Sequence, residues 1–293
     1  MKNFKNNADK YKVYFRRFLA RYFRSLVFLI YKIKFSFLSF NKPPIIILTP
    51  GKVGSSSIYF TLKNTINNPV FHIHNLSEEG IENSWQEHLN SDRKSVPLHL
   101  IISSLLRKKL DKYKGDIYLI TVIREPVSRE ISSFFQNTDR FKNSIEYSDL
   151  KIDMNKTINL LHEIFQKNIT KNLESWFDVE LKKNFGFDVF EKKFDDDNGF
   201  DIFNKERFSL LLLKMETMDE VFPQAIKEFL NIRQNVNLEK SNLAEKKYYA
   251  DSYSEAKEKF RIDSELLDEI IISNYFQHFY SGLEHNIKEK WGK

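Results

Sequence analysis

The 293-residue chain has no cysteine, which excludes a disulfide framework, a thiol nucleophile and any cysteine-ligated metal. Glycine is nearly as scarce, at eight residues, so each glycine beside a strand is worth locating. Long apolar runs are missing as well. Within residues 1–42 the longest uncharged stretches, Ser25 to Tyr31 and Phe35 to Asn41, fall far short of the roughly 20 residues that span a bilayer. That segment also lacks a small-residue cleavage site of the secretory kind.

Acidic residues are missing from one place in particular. Residues 1–42 hold eleven basic side chains and one acid, Asp9, whereas the remainder carries a small negative balance. A uniformly basic nucleic-acid binder would not divide its charge this way, so no nucleic-acid partner is expected. Wound as a helix, the segment sets Tyr11, Phe15, Phe18, Tyr22, Leu26 and Leu29 on one face and Lys12, Arg16, Arg17, Arg21 and Arg24 roughly opposite. Such a basic amphipathic helix suits an anionic membrane surface. A helix packed on its own domain, with a solvated basic face, fits the same pattern. The expectation is a cytoplasmic protein, peripheral on the inner face of the cell membrane, with residues 1–42 as a basic segment and 43–293 as one domain.

What is present is an apolar fraction of 41%, rich in Phe and Tyr, enough for a large core. After Pro43-Pro44, "IIILT" reads as a buried parallel strand. "VFHIH" at 70–74, "PLHLII" at 97–102, "DIYLITVI" at 116–123 and "RFSLLLLKME" at 207–216 read as further strands, and 154–185, 217–231 and 254–291 as helical. Strands alternating with helices predict an α/β fold, a doubly wound parallel sheet flanked by helices.

The loop after the first strand is "TPGKVGSSSIYF", residues 49–60. Strand, glycine turn and helix start make an anion site, because backbone N–H groups and the helix dipole converge there. Ser55 or Ser56 is the expected cap of the helix. The order differs from a nucleotide-hydrolase loop: Lys52 precedes Gly54, and Ser55 stands where a lysine would be. A tight turn with a surface lysine explains the stretch equally simply. A second junction, "VIREPVSREISSFF", places Arg124 at a strand's carboxyl end, Pro126 at the first position of a helix and Ser132 eight residues after Arg124. Arg129 is a third possible donor, and an arginine closing a sheet edge through a salt bridge is the plain alternative.

Taken together, "PGKVGSSS" and "REPVSREISSF" resemble the sulfotransferase superfamily, whose donor is 3′-phosphoadenosine 5′-phosphosulfate (PAPS). The later string "ESWFDVELKKNFGFDVFEK…LLLLKMETM" resembles a bacterial branch described as capsular polysaccharide synthesis proteins. The resemblance covers roughly residues 44–290. It implies that Lys52, Gly54, Ser55, Ser56 and Ser57 bind the phosphosulfate, that Arg124 and Ser132 bind the 3′-phosphate, and that Lys52 also acts on the leaving oxygen. It implies a basic closing loop, represented by Lys247 in "EKKYYADSY", and a carbohydrate acceptor. It places a catalytic histidine where His99 stands. His74 and His72 are the other candidate bases, with Glu125 or Glu216 as acidic substitutes. Glu216 is otherwise expected to pair with a neighbouring base, and Trp176, Phe177 and Asp178 to serve as core and cap. The pair His72-x-His74 is too weak a pattern for a metal, and none is expected. A nucleotide-dependent kinase and a non-catalytic scaffold of capsule assembly remain alternatives.

Overall fold

The computed structural model describes residues 24–90, 98–136, 147–148, 151–167, 169–241, 247 and 249–293. The expected amphipathic face from Tyr11 to Tyr22 lies outside the described residues, as do Lys246 and Tyr248.

Five strands form the central sheet. They are β1 (Ile45–Leu48), β2 (Val70–Ile73), β3 (Ile117–Ile123), β6 (Phe200–Lys205) and β7 (Phe208–Lys214), in the order β2-β1-β3-β7-β6. The first four in that order run parallel, and β6 closes one edge antiparallel to β7. A two-residue pair, β4 (Tyr147–Ser148) with β5 (Lys151–Ile152), stands apart. The sheet is buried on both faces, which is why its strands read as continuous apolar runs. Ile46, Leu48, Leu119, Ile123, Leu210 and Leu212 point into one core. Ile45, Ile47, Ile120, Val122, Leu211 and Leu213 point into the other.

The N-terminal helices are α1 (Arg24–Phe37), α2 (Ser55–Thr65), α3 (Glu78–Leu89), α4 (Leu98–Leu110) and α5 (Pro126–Gln136). Then come α6 (Met154–Phe165), α7 (Ile169–Phe177), a π-helical turn at Asp178–Lys182, α8 (Lys183–Phe185) and α9 (Met218–Phe229). Four short helices replace the single one expected over 254–291: α10 (Ala250–Lys259), α11 (Ser264–Ile272), α12 (Asn274–Phe279) and α13 (Glu284–Trp291).

One expectation fails here and one strand was unforeseen, each for a physical reason. The described part of the 97–102 "strand" is the start of α4, because Leu98, Ile101, Leu105 and Ile102, Leu106, Leu110 recur every three or four residues. A short apolar run cannot be assigned by itself; the residues beyond it settle the period. Strand β6, "FDIFNK", gave no warning: its solvent-facing end is polar, and its pairing to β7 comes from a tight turn at Glu206-Arg207.

Candidate functional site

β1 and β3 are neighbours in a parallel sheet, so the loops leaving their carboxyl ends meet. The β1 loop curls through two left-handed residues, Lys52 and Gly54, each with φ of 76°. A lysine there carries strain of about 1–2 kcal/mol, a cost usually found where function requires the shape. At Gly54 a side chain would also press on the Met218 methyl, 3.1 Å from an added Cβ. Gly54 itself occupies the cap position of α2, with no side-chain cap, and Ser55 to Ser57 form the first turn. Neither Ser55 nor Ser56 is the cap that the sequence suggests. The Ser57 N–H donates to the Gly54 carbonyl at 3.0 Å, and the N–H groups of Ser55 and Ser56 open the helix end, where an anion is favoured.

Cations surround this turn. Arg124 donates from Nη1 to the Lys52 carbonyl at 2.7 Å, and its Nη2 lies 3.5 Å from the Tyr253 hydroxyl. Arg129 donates from Nε to the Gly51 carbonyl at 3.0 Å and pairs with Glu130 at 3.3 Å. The two arginines thus hold the loop backbone. The Lys52 ammonium donates to the side-chain oxygen of Gln136 on α5. Burial lowers the Lys52 pKa to about 8, with further depression from Arg124, Lys247 and Arg129. Burial likewise pushes Arg129 down, although Glu130 opposes it. Four cations lie this close, and Glu130 pairs with one of them, a charge distribution suited to an anion.

Helix α5 continues the same front. Arg129, Ser132 and Gln136 are spaced three and four apart and share a face. Ser132, 8% exposed, therefore lies beside the residue that holds the Lys52 amine. The helix begins on Glu125, whose carboxylate accepts from the N–H groups of Val127 (2.7 Å) and Ser128 (2.9 Å) and from Trp291 (3.3 Å). So engaged, the Glu125 carboxylate fixes the start of α5. Glu216 accepts from the Glu125 N–H at 2.8 Å and the Tyr280 hydroxyl at 3.1 Å. Its work is structural, as expected, but neither partner is basic.

On the other side of the turn stand the histidines. Ser55 Oγ and His72 Nε2 are 2.8 Å apart. The rings of His72, His74 and His99 follow edge to face, with centroids 5.3 and 6.1 Å apart. Burial lowers His72 to about 4, helped by the other two histidines. His74 is lowered by burial, opposed by its bond to Thr49, and lowered further by the charges on Arg129 and Lys52. His74 Nδ1 sits 2.9 Å from the Thr49 carbonyl; a carbonyl only accepts, so Nδ1 carries the hydrogen and Nε2 the lone pair. His99 belongs to the first turn of α4 and is exposed, not set at a strand end. The charge on Lys52 acts on His74. Among the described residues no group of His, Asp and Glu is arranged to hold a metal ion.

The remaining expected ligands divide. Ser56 is half-buried on the first turn. Ser57 is buried and exchanges hydrogen bonds with the Ser241 backbone at 3.0 and 3.3 Å, so its hydroxyl ties α2 to the 241 loop. Lys247 stands close enough for its charge to act on Lys52.

Several contributors carried no readable sequence signal. Glu180 accepts from the N–H groups of Leu76 (2.7 Å) and Ser77 (2.9 Å) and from the Ser77 hydroxyl (2.8 Å). Burial raises its pKa in spite of those bonds. Gly80 is fixed by the same carboxylate, which leaves no room for a Cβ. Trp176 is more than core: its indole donates to the His74 carbonyl at 2.8 Å. Asp178 caps nothing and pairs with Lys183 at 3.4 Å. Tyr275 spans the Arg124 backbone, with its hydroxyl 3.1 Å from N and 2.9 Å from O.

Residues 149–281 match the model of the NKWYS family, "Putative capsular polysaccharide synthesis protein". The match takes in Trp176, Glu180, Glu216, Lys247, Tyr253 and Tyr275 but neither the Lys52 loop nor the Arg124 junction. It covers under half of the chain. No curated protein and no solved structure matches the chain significantly.

Proposed function

We propose that the protein is a sulfotransferase that moves a sulfuryl group from PAPS to a carbohydrate hydroxyl, in the synthesis of a capsular or related surface polysaccharide. The observation that carries this reading is the gathering of Lys52, Arg124, Arg129 and Lys247 around the serine-lined start of α2. The family match over 149–281 supports the carbohydrate context.

PAPS, when bound, supplies the sulfuryl group and a stable leaving group. The chain's own residues would do the rest. Ser55, Ser56 and the first-turn N–H groups, with Gly54 permitting close approach, hold the phosphosulfate. Arg124 and Ser132 hold the 3′-phosphate. Lys52 exchanges its Gln136 contact for the anion, which raises its pKa and keeps it charged where the leaving oxygen gains charge. Arg129 keeps the loop in shape, and Lys247 adds long-range charge. His74 takes the acceptor's proton through Nε2. It is neutral at physiological pH, since burial and its cationic neighbours both oppose protonation. His99 stands further out, toward the acceptor side.

The test is calorimetry followed by a transfer assay. Adenosine 3′,5′-bisphosphate should bind without Mg²⁺ and ATP poorly, because Val53, not a serine or threonine, follows Lys52. His74→Ala should slow sulfuryl transfer by about 10²–10⁴-fold with the bisphosphate affinity unchanged. Failure of the bisphosphate to bind sinks the proposal; normal turnover in the variant removes His74 as the base.

A further inference from the structure

Helix α1 is apolar on two sides. Val27 and Tyr31 turn inward onto Leu98, Ile101 and Leu105 of α4, and Phe35 stacks toward Phe71 with ring centroids 6.2 Å apart. On the other side Leu26, Leu29, Ile30, Ile33 and Phe37 follow helical spacing and are 38–85% exposed. With Phe28 they make up six of the ten large apolar side chains exposed among the described residues. A helix at a protein–water boundary needs one apolar stripe; a second calls for a second apolar environment.

Charge says what that environment is. α1 contains Arg24, Lys32 and Lys34 and no acid. It lies in the 42-residue stretch with eleven basic residues and one acid, on a protein whose remainder is slightly negative. A second copy would bring like charges together, whereas anionic lipid headgroups would neutralise them. At fourteen residues the helix is about 21 Å long, and no described helix is long and apolar enough to cross a membrane.

We infer that α1 lies flat on an anionic membrane surface, its Leu26–Phe37 stripe in the acyl boundary and Lys32 and Lys34 among the headgroups. The orientation matters for the site. Val27 packs at the first turns of α4, which carry His99, and Phe40 packs on Tyr113 beyond the far end, centroids 5.1 Å apart. α1 therefore runs beside α4 in the same sense, and its N-terminal end lies at the His99 end. The inference is independent of sulfuryl transfer. Where both hold, the acceptor hydroxyl is met at the membrane surface.

The experiment is flotation of the full chain with phosphatidylcholine vesicles, with and without phosphatidylglycerol. The protein should float only with the anionic vesicles and less at high salt. The variant Leu29→Asp/Ile33→Asp changes exposed positions and should keep its circular dichroism while losing about tenfold or more in vesicle affinity. Lys32→Glu and Lys34→Glu should each weaken binding by about fivefold. Absence of flotation, or unimpaired flotation of the double Asp variant, overturns the inference. So does light scattering that shows a dimer which the Asp variant dissolves, since a second copy would then cover the stripe.

Discussion

Between Ile45 and Gln136 the polar side chains at the strand ends are turned on one another and on the loop: Lys52, Arg124 and Arg129 on one side, His72 and His74 on the other. Four polar side chains from residues 149–281 bond to the backbone of that first region. Trp176 takes the His74 carbonyl, Glu180 the N–H groups after β2, Tyr275 the backbone of Arg124, and Glu216 that of Glu125. The first region supplies groups with unspent charge or lone pairs. The second spends its own to fix where those groups stand. Those four residues lie within the 149–281 match, and substitutions in the two sets should fail differently.

The sharpest contrast should come from Glu180→Ala. It strands two backbone N–H groups and the Ser77 hydroxyl in a buried place, for a loss of about 3–4 kcal/mol of stability by chemical denaturation. Anion affinity at saturating fold should change little. A loss of affinity without a loss of stability would dissolve the distinction between frame and chemistry.

His72 should show the reverse dependence, as a site group that weakens the fold in acid. Its folded pKa of about 4 lies below the ordinary 6.5, so the unfolded chain binds the extra proton between those values. Stability should then fall by about 2–3 kcal/mol as pH drops from 6.5 toward 4. His72→Leu should flatten that slope in pH-dependent unfolding; an unchanged slope would place the titration elsewhere.

Arg124→Ala should weaken adenosine bisphosphate binding by about 1.5–3 kcal/mol, as one charge-assisted partner is lost. Calorimetry reads it directly, and unchanged affinity removes Arg124 from the anion site.

The smallest effect is the most telling. Lys52, lowered to about 8, binds fewer protons folded than unfolded between that pH and 10.5, so apo stability should rise with pH across this window. At pH 7 its charge is a cost. Lys52→Met should therefore stabilise the apo protein by about 1 kcal/mol, reduced from the full shift because the amine reaches solvent. The same change should remove the stabilisation that bisphosphate gives the wild type. A destabilised variant in a thermal scan would mean the cation cluster is not strained.

What the chain showed before folding was uneven, and the unevenness has a cause. "IIILTPGKVGSSS" and "TVIREPVSREISS" were legible because strand, turn and helix start are encoded within a dozen residues each. α4 was misread because its first residues alternate like a strand, and only "LLRKKL" beyond them restores the helical period. β6 was missed because an edge strand with a polar outer end needs its partner β7 to define it. The resemblance puts the base at His99, at a strand-to-helix crossover whose strand is replaced by the first turn of α4.

By itself the sequence determined the buried parallel strands, the serine-lined loop, the arginine at the second junction and the basic N-terminal stretch. Each follows from side-chain period, backbone permissiveness or net charge over a short window. Only the tertiary structure decided that Arg124 and Arg129 grip the loop carbonyls, that Lys52 sits among cations, that Ser57 is spent on Ser241 and that His74 is held by Thr49 and Trp176. Those contacts join residues as far apart as 184 positions. A local pattern can say that a side chain is able to donate or accept; which partner it finds is set by sheet order and helix packing.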